Sequence, residues 1–479
     1  MELQFLFLLS LLLVGKSDAG GKSNQSKPNF VVLFVDDMGI DQIAVPHPAH
    51  FHGYTGNNGT IQTPHIARLA AEGLLFQNWY SAYHICSPSR AAMMTGRLPI
   101  RSGCVPGVFY AAAVGGLPAN ETTLPEALRP AGYRSMAIGK WHLGSREQFL
   151  PTNRGFDAYL GIPFSQDMGM SWFNDCANFH HSAIVNGSCD PTPHNWNQPT
   201  PLPLFHNLTV VAQPAGLYTL TERYARAAVA FMEQSADAHT PFFLYVPFNH
   251  VHAPQSCSAR SCGKSQRGKI GDAVIDVDLA VGRIMDSIRA DHRLAHNTLV
   301  FFTSDNGSPL APDGNLPLRG FKTEIWEGGF REPGIAWWPG KIPAGSHSST
   351  ALVATYDIFP TLINLAGKSL LSAQSRVDPQ LAACDHVGAK LPGVVVDGID
   401  LTHLLLSDKP DDETAHQCIL FYHHPMSQLG PEGAAAVTSL SAIRCGDHKV
   451  SGGGGHERMG ACQSLYVCVH VVLVQGCDR

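Results

Sequence analysis

The sequence predicts an α/β protein built on a large, mostly parallel sheet with helices on its faces. Three apolar runs, Asn29–Val35, 242–246 and 298–303, are rich in β-branched and aromatic residues, and each ends abruptly in polar residues. Runs of this kind are typical of strands that are buried on both faces. Helical patterns of apolar residues lie between them, at 65–73, 124–132, 220–234 and 273–290. Strands that alternate with helices indicate a mostly parallel sheet.

The chain has 479 residues, of which 44% are hydrophobic and 15% are charged. This length allows two or three domains. Residues 1–19 are predicted to be a signal peptide, because the apolar run at 3–14 is too short to span a membrane and small residues follow it. A buried N-terminal strand is the alternative. No later segment has the roughly 20 consecutive apolar residues of a membrane helix, so no membrane span is expected.

The net charge is −6 with neutral histidines, and no long basic run is present, so nucleic acid is not an expected partner. Asn-X-Ser/Thr motifs support a secretory route. Four of them are candidate glycosylation sites: Asn58, Asn120, Asn186 and Asn207. In an oxidising compartment, Cys176/Cys189 and Cys257/Cys262 are close enough in sequence to form local disulfides.

Oxygen-bearing side chains follow two of the predicted strands. Asp36 and Asp37 follow the first run, and Asp305 and Asn306 follow the run at 298–303. Ligands of open α/β sheets bind beyond the carboxyl ends of the strands, and carboxylate and amide oxygens suit a hard cation such as Ca²⁺. A solvated turn is the alternative for either pair alone. A metal ligand at Asn306 would be buried, so we do not expect its sequon to be glycosylated.

A cysteine stands at the predicted start of a helix in residues 86–97, CSPSRAAMMTGR. Pro88 suits a first helical turn, where backbone N–H groups favour an anion. The residues alone allow two interpretations of Cys86: a nucleophilic thiolate or one half of a disulfide.

Residues 86–97 resemble the signature of the sulfatases, C-x-P-S-R-x-x-x-L-T-G-R, with Met94 where leucine is usual. Other segments resemble further parts of the family pattern: 30–39, GKWHLG at 139–144, 303–307 and GGFREP at 328–333. The similarity spans about 28–450 and is greatest to the arylsulfatase A and N-acetylgalactosamine-6-sulfatase group. It implies an alkaline-phosphatase-like fold, with a catalytic domain at 28–366 and a partial antiparallel-sheet subdomain at 367–450.

In that family the cysteine is oxidised to formylglycine, whose hydrated aldehyde attacks the sulfate sulfur. The resemblance therefore implies an arylsulfatase-like sulfuric ester hydrolase that carries formylglycine at position 86 and binds Ca²⁺, with Mg²⁺ as the alternative. It also implies maturation by the formylglycine-generating enzyme, passage through the secretory pathway to the lysosome or the extracellular space, and a sulfated small molecule, glycolipid or glycan as substrate. A homodimer is a possible assembly.

The residue roles that the resemblance implies fall into three groups. The metal ligands are Asp36, Asp37, Cys86, Asp305 and Asn306. The catalytic residues are Cys86, Arg90, Lys140, His142, His252 and Lys322. The substrate-binding residues are Lys140, Ser165, His252 and Lys322. His250 competes with His252 for the histidine role, and the Ala-Pro sequence after His252 favours the latter.

The tail at 451–479 departs from the family pattern, and we predict that it is not natively folded. Two other functions remain as alternatives. A metal-dependent phosphodiesterase or phosphomutase would share the sheet and the carboxylates but normally uses serine or threonine as nucleophile. A pseudosulfatase that only binds sulfated glycans would keep the lysines without turnover.

Overall fold

The computed structural model describes residues 27–45, 56–169, 184–185, 188–189, 201–309, 314–367, 394–413, 415–423 and 439–451. The strands are β1 Asn29–Val35, β2 Leu74–Tyr80, β3 Arg134–Ile138, β4 Ala158–Gly161, β5 Ile184–Val185, β6 Ser188–Cys189, β7 Leu204–His206, β8 Thr209–Ala212, β9 Phe242–Pro247, β10 Thr298–Ser304, β11 Arg331–Trp337, β12 Ser346–Ser348, β13 Val353–Ala354, β14 Cys418–His423, β15 Ser439–Cys445 and β16 His448–Ser451. The helices are α1 Pro64–Glu72, α2 Cys86–Thr95, α3 Pro99–Ser102, α4 Leu124–Leu128, α5 Leu217–Asp237, α6 Gly268–Ala290, α7 His292–Ala295, α8 Glu327–Phe330, α9 Ile358–Gly367 and α10 Thr402–Leu405.

The main sheet has eleven strands in the order β12-β2-β11-β10-β1-β9-β3-β4-β7-β8, and β13 also pairs with β2. Its centre is parallel: β1 pairs with β9 and β10, and β3 pairs with β9 and β4. Antiparallel pairs appear towards the edges, between β10 and β11, β11 and β2, β4 and β7, and β7 and β8. The predicted fold class, a mostly parallel sheet flanked by helices, is confirmed.

The predicted elements are observed with shifted ends. β1 matches its prediction, whereas β9 and β10 each extend one residue further, to Pro247 and Ser304. The helix predicted at 65–73 begins at Pro64, because proline is well tolerated in a first helical turn, and ends before Gly73. The helix predicted at 124–132 is wrong beyond residue 128. Pro130 follows there in a 3₁₀ turn at 129–131, since proline cannot continue an α-helix.

Each face of the sheet carries its own apolar core. Alternate residues of β1 point to opposite faces, so Val31, Leu33 and Val35 lie in one core, while Phe30, Val32 and Phe34 lie in the other. Helices α1, α5 and α6 cover the first face, and α2, α4 and α9 cover the second. Because both faces are buried, β1 is apolar from Phe30 to Val35.

A small antiparallel sheet, β14-β15-β16, packs beside the main sheet. It was predicted as a C-terminal subdomain, and the domain boundaries themselves stay predictions. Glu327 joins the two sheets: it accepts hydrogen bonds from Arg444 Nη1 at 2.9 Å, Lys449 Nζ at 3.1 Å and Tyr80 OH at 2.8 Å. Phe421 adds an edge-to-face contact with the ring of Tyr80, at 5.7 Å between ring centroids.

The disulfide between Cys257 and Cys262 is confirmed. A second one, Cys418–Cys445, was not predicted, because its cysteines are 27 residues apart and become neighbours only through the pairing of β14 with β15. Cys86 and Cys104 are buried free thiols. The predicted pair Cys176/Cys189 lies outside the residues whose side chains are described.

The asparagines of the Asn-X-Ser/Thr motifs differ in their exposure to solvent. Asn58 and Asn120 are exposed and Asn207 is half-buried, whereas Asn306 is fully buried. Asn186, the predicted signal peptide and the tail beyond Ser451 lie outside the described residues. None of the helices in the described part of the chain combines the length and hydropathy needed to cross a membrane.

A buried imidazole makes the stability of the fold depend on pH. His416 Nε2 lies 2.7 Å from Asp357 Oδ1, next to the small sheet. Burial lowers the pKa of His416, but the Asp357 carboxylate outweighs burial, so the net shift of the pKa is upward. A raised histidine pKa contributes stability that is fully present below the unfolded value of about 6.5 and is lost as the pH rises through the folded value.

We therefore predict that His416→Gln lowers the free energy of unfolding by about 1.5–3 kcal/mol below pH 6.5, the usual range for a charge-assisted hydrogen bond. The loss should shrink at about pH 9, where the imidazole is neutral in both states. Urea denaturation at both pH values measures it. The control is the exposed His448→Gln; equal effects of the two substitutions at every pH would contradict the prediction.

Candidate active site

The carboxyl ends of the central strands bring the predicted acidic pairs together. Residues Val35 and Ser304 are register partners at the ends of β1 and β10, so Asp36 and Asp305 leave the sheet side by side. Asp37 has a positive φ of 61°, and its N–H donates to Asp305 Oδ1 at 3.0 Å. All these side chains are at most 1% exposed. The pairing of β1 with β10 therefore places these acidic side chains next to one another.

Cys86 is the first residue of α2, a helix that ends at Gly96 in the left-handed conformation. Its Sγ lies 3.5 Å from Asp36 Oδ1, 3.3 Å from Lys140 Nζ and 3.7 Å from Lys322 Nζ. Burial raises the pKa of the Cys86 thiol well above its ordinary value, although both lysines act in the opposite direction. An unmodified thiol here would thus be neutral, and a neutral thiol is a weak nucleophile.

Arg90 lies one helical turn after Cys86 and is fully buried. Its Nε and Nη2 both donate to Asp305 Oδ2, at 2.9 and 2.7 Å, and Nη2 is 3.2 Å from Asp36 Oδ1. Nη1 donates to the carbonyl of Lys140 at 2.9 Å. The guanidinium therefore holds the ends of β1 and β10 and the segment after β3 in one arrangement.

Two lysines reach the same cluster from different loops. Lys140 Nζ donates to Asp36 Oδ2 at 2.6 Å and to Ser165 Oγ at 3.2 Å. Lys322 Nζ lies 2.8 Å from the carboxylate of Asp37. Burial opposes a charged lysine, but the carboxylates outweigh it and raise the pKa of both lysines, so both are ammonium ions.

Two of the predicted histidines lie at the cluster. His252 Nε2 is 3.6 Å from Asp37 Oδ2 and 3.4 Å from Ser165 Oγ. His142 is buried, and neither of its ring nitrogens has a hydrogen-bond partner within the described part of the chain. Burial, with Lys140 acting in the same direction, holds the pKa of His142 well below its usual value, so the ring is neutral. The competing His250 directs its ring elsewhere, towards Thr221 and Ser256.

The carboxyl groups of Asp36 and Asp305 have pKa values shifted in opposite directions. Burial favours the neutral form of Asp36, but Lys140 and Arg90 outweigh it and hold the pKa well below its usual range. Burial raises the pKa of Asp305 to about 7, because Arg90 only partly offsets it and Asp36 adds to it. The carboxylates of Asp36, Asp37 and Asp305 face three cationic side chains, Arg90, Lys140 and Lys322.

The donor set of the cluster fits a hard divalent cation. Asn306 Nδ2 donates to Asp37 Oδ1 at 2.7 Å, whereas its Oδ1 is buried and, within the described ranges, has no hydrogen-bond partner. A buried amide oxygen without a partner costs free energy unless a ligand uses it. With Asp36, Asp37 and Asp305 it makes an all-oxygen set of the kind that Ca²⁺ and Mg²⁺ prefer.

Two buried side chains beside the cluster were not predicted from the sequence. Gln166 Nε2 donates to the carbonyls of His252 at 2.6 Å and Pro254 at 3.0 Å, and so holds the histidine loop. Glu332 is fully buried, and among the described residues neither of its carboxyl oxygens has a hydrogen-bond partner. Burial raises the pKa of Glu332 well above its usual value, so this carboxyl is neutral. The GGFREP segment pointed to Glu332 but carried no role for it.

We predict that Arg90→Met costs about 3–5 kcal/mol of unfolding free energy, because it leaves buried carboxylates without their cation. The matched control is Arg68→Met, which removes an exposed pair with Glu72 and should cost at most about 1 kcal/mol. Urea denaturation followed by circular dichroism compares the two variants. Similar losses for both would show that the buried cluster does not depend on Arg90.

Comparison with known proteins identifies the family of this chain. Residues 28–368 match the Sulfatase family profile. Arylsulfatase G of Mus musculus is 38% identical over 395 residues, covering 76% of this chain and 71% of that protein. Arylsulfatase A of Homo sapiens is 36% identical over 438 residues, with coverages of 90% and 76%. N-acetylgalactosamine-6-sulfatase of Canis lupus familiaris is 39% identical over 371 residues, with coverages of 74% and 66%.

Among solved structures, the PsFucS1 sulfatase from Pseudoalteromonas sp. superimposes with a TM-score of 0.66 at 28% identity, covering 89% of this chain and 78% of that one. The resemblance inferred from the signature is therefore confirmed. Members of the family generally use formylglycine and a divalent metal ion. The chain belongs to the sulfatase family and is a sulfuric ester hydrolase.

Proposed function

We propose that this protein hydrolyses sulfate esters with residue 86 as the nucleophile. Cys86 is first oxidised to formylglycine, which then acts beside a calcium ion. One observation carries the proposal: Cys86 Sγ lies within 3.7 Å of two ammonium groups and one carboxylate, Lys140, Lys322 and Asp36. Two ammonium groups beside residue 86 suit a sulfate group held against a nucleophile.

Asp36, Asp37, Asp305 and Asn306 would hold the metal ion, and residue 86 would touch it. When bound, a divalent cation acts as a Lewis acid that polarises a sulfate oxygen and the nucleophile. Formylglycine at position 86 would, as its hydrate, supply a hydroxyl nucleophile for the sulfate sulfur and a second hydroxyl that allows sulfate to leave as the aldehyde re-forms. Calcium is proposed over magnesium because several carboxylates in an irregular arrangement suit its larger and more flexible coordination shell.

The other side chains act on the charges that the reaction develops. Lys140 and Lys322 bind the sulfonyl oxygens, where negative charge builds up in the transition state. His252, which lies next to Asp37, donates a proton to the leaving alcohol oxygen. His142 is neutral and can accept a proton from the hydroxyl of residue 86. Arg90 keeps the carboxylates of Asp36 and Asp305 oriented, and Ser165 holds Lys140 near His252.

The substrate is proposed to be a sulfated glycan or glycolipid. Two kinds of relatives bear on this choice: arylsulfatases and an N-acetylgalactosamine-6-sulfatase, whose name specifies a sulfated sugar. Formylglycine requires the generating enzyme of the secretory pathway, so we place the protein there, with the lysosome or the extracellular space as its destination. Small aryl sulfates serve as probes of the reaction whatever the natural substrate is.

The first test is peptide mass spectrometry across position 86, combined with turnover of 4-nitrophenyl sulfate. We expect the mass loss of a thiol replaced by an aldehyde, and hydrolysis that is abolished in Cys86→Ala. The protein must come from cells that contain the generating enzyme. An unmodified Cys86 with no turnover would overturn the proposal and favour a pseudosulfatase.

The second test concerns the metal ion. We predict that Asn306→Ala weakens calcium binding about 10–100-fold, because it removes a ligand oxygen. Calorimetric titration of Ca²⁺ into metal-depleted protein measures this. The control is Asn57→Ala, which removes a buried amide that only closes a turn onto Ile61, and whose calcium affinity should equal that of the wild type. Unchanged affinity in Asn306→Ala would remove Asn306 from the metal site.

A further inference from the structure

A second buried polar network lies beside the strand ends, towards helices α5 and α6. Its centre is His250, which is 1% exposed. Thr221 Oγ1 is 3.3 Å from its Nδ1, and Ser256 Oγ is 3.1 Å from its Nε2. Asp276 Oδ2, on α6, is 4.0 Å from the same Nε2, which is longer than a hydrogen bond, so Asp276 is linked to His250 mainly through the serine-bearing loop that follows His250. None of these residues has a role in the proposed chemistry.

Asp276 is fixed from its other side by a small closed loop. Its Oδ1 accepts hydrogen bonds from Ser258 Oγ at 2.5 Å and from Ser261 Oγ at 2.8 Å. The disulfide Cys257–Cys262 closes the loop that carries both serines. The carboxylate is 5% exposed, so its position is set by these partners rather than by solvent.

The main chain at His250 is hydrogen-bonded to the main chain of Asp36, a proposed metal ligand. After β9 ends, its pairing with β1 continues: the carbonyl of His250 accepts from Asp36 N–H at 3.0 Å, and Val251 N–H donates to the Asp36 carbonyl at 2.6 Å. Two residues after His250, His252 reaches the cluster. The short segment 250–252 therefore both supports the backbone of Asp36 and carries His252 to the cluster.

We propose that His250 and Asp276 are a positioning pair, which anchors segment 250–252 to helix α6 and so sets Asp36 for the cation and His252 for the leaving group. The inference rests on the proposed function of those two residues. The pair touches neither substrate nor metal. It acts because the ring of His250 fixes a segment whose backbone is hydrogen-bonded to Asp36, the residue that follows β1.

The expected size of the effect follows from how steeply a site depends on geometry. Outer partners of metal ligands typically contribute about 10–100-fold to metal affinity or activity. A displacement of about 1 Å at a reacting group can cost about a hundredfold in rate. Losing the anchor should therefore change calcium affinity and kcat more than KM, since the lysines that bind sulfate belong to other loops.

The chain offers a matched control one helical turn earlier. Asp272 is 6% exposed and also binds this loop region, since it accepts the backbone N–H groups of Gly263, Lys264 and Ser265 at 2.7–2.9 Å. No hydrogen bond of the described residues joins Asp272 to His250. Asp272→Ala should therefore destabilise the loop as Asp276→Ala does, without disturbing segment 250–252.

The experiment compares His250→Ala, His250→Gln, Asp276→Ala and Asp272→Ala in the full chain. Calcium binding is measured by calorimetry on metal-depleted protein, kcat and KM with 4-nitrophenyl sulfate, and stability by thermal denaturation. We expect Asp276→Ala and His250→Ala to lose about 10–100-fold in calcium affinity and kcat with little change in KM. His250→Gln, which keeps a hydrogen-bonding side chain, should recover part of the loss. Asp272→Ala should match the wild type in calcium affinity and kcat, although its melting temperature should be lower.

Equal effects of Asp276→Ala and Asp272→Ala on calcium affinity and kcat would overturn the inference, as would unchanged values in Asp276→Ala. If His250→Ala does not fold, the two aspartate variants decide the question. A wild type that binds calcium but hydrolyses no sulfate ester would refute the proposed function alone, and calcium affinity would still test the positioning pair.

Discussion

The buried ion pair between Arg90 and the carboxylates of Asp36 and Asp305 is the constraint on which the rest of the site depends. All three side chains are fully buried, where an unpaired charge would be far more costly than in water. The guanidinium can bridge these carboxylates only because parallel pairing of β1 with β10 places the strand ends side by side. Helix α2 therefore has to start where it does, and Cys86 is placed at the cluster as a consequence.

The topology explains why side chains from distant parts of the chain meet. β1 lies between β9 and β10, so the residues that follow these three strands leave the sheet at one edge. The acidic pairs follow β1, the middle strand of the three, and its neighbour β10, and His252 comes from the loop after β9. Lys140 follows β3, the next strand in the sheet, and Lys322 arrives from the loop before β11. The two apolar cores hold this edge rigid, because each face of the central strands is packed.

Much of this arrangement could be predicted from the sequence, for reasons that are local. The uniformly apolar run of β1 and its abrupt end at Asp36 predict a buried central strand and a site beyond it. The signature around Cys86 identified the residues that the structure brings together. The Cys418–Cys445 disulfide, the docking of the small sheet on Glu327 and the contact of His250 with Asp276 could not be predicted, because each depends on long-range pairing that no local pattern encodes.

Several buried polar atoms without hydrogen-bond partners lie where the chemistry is proposed, although others among the described residues lie elsewhere in the fold. Asn306 Oδ1, both ring nitrogens of His142 and both carboxyl oxygens of Glu332 are buried without a hydrogen bond in the described part of the protein. Each such atom costs about 1–3 kcal/mol, and folded proteins normally avoid them. At Asn306 and His142 this cost falls on side chains that the proposed chemistry would use. A cation at Asn306 and a reacting hydroxyl at His142 would supply the missing partners, so binding would relieve a penalty that folding alone leaves in place.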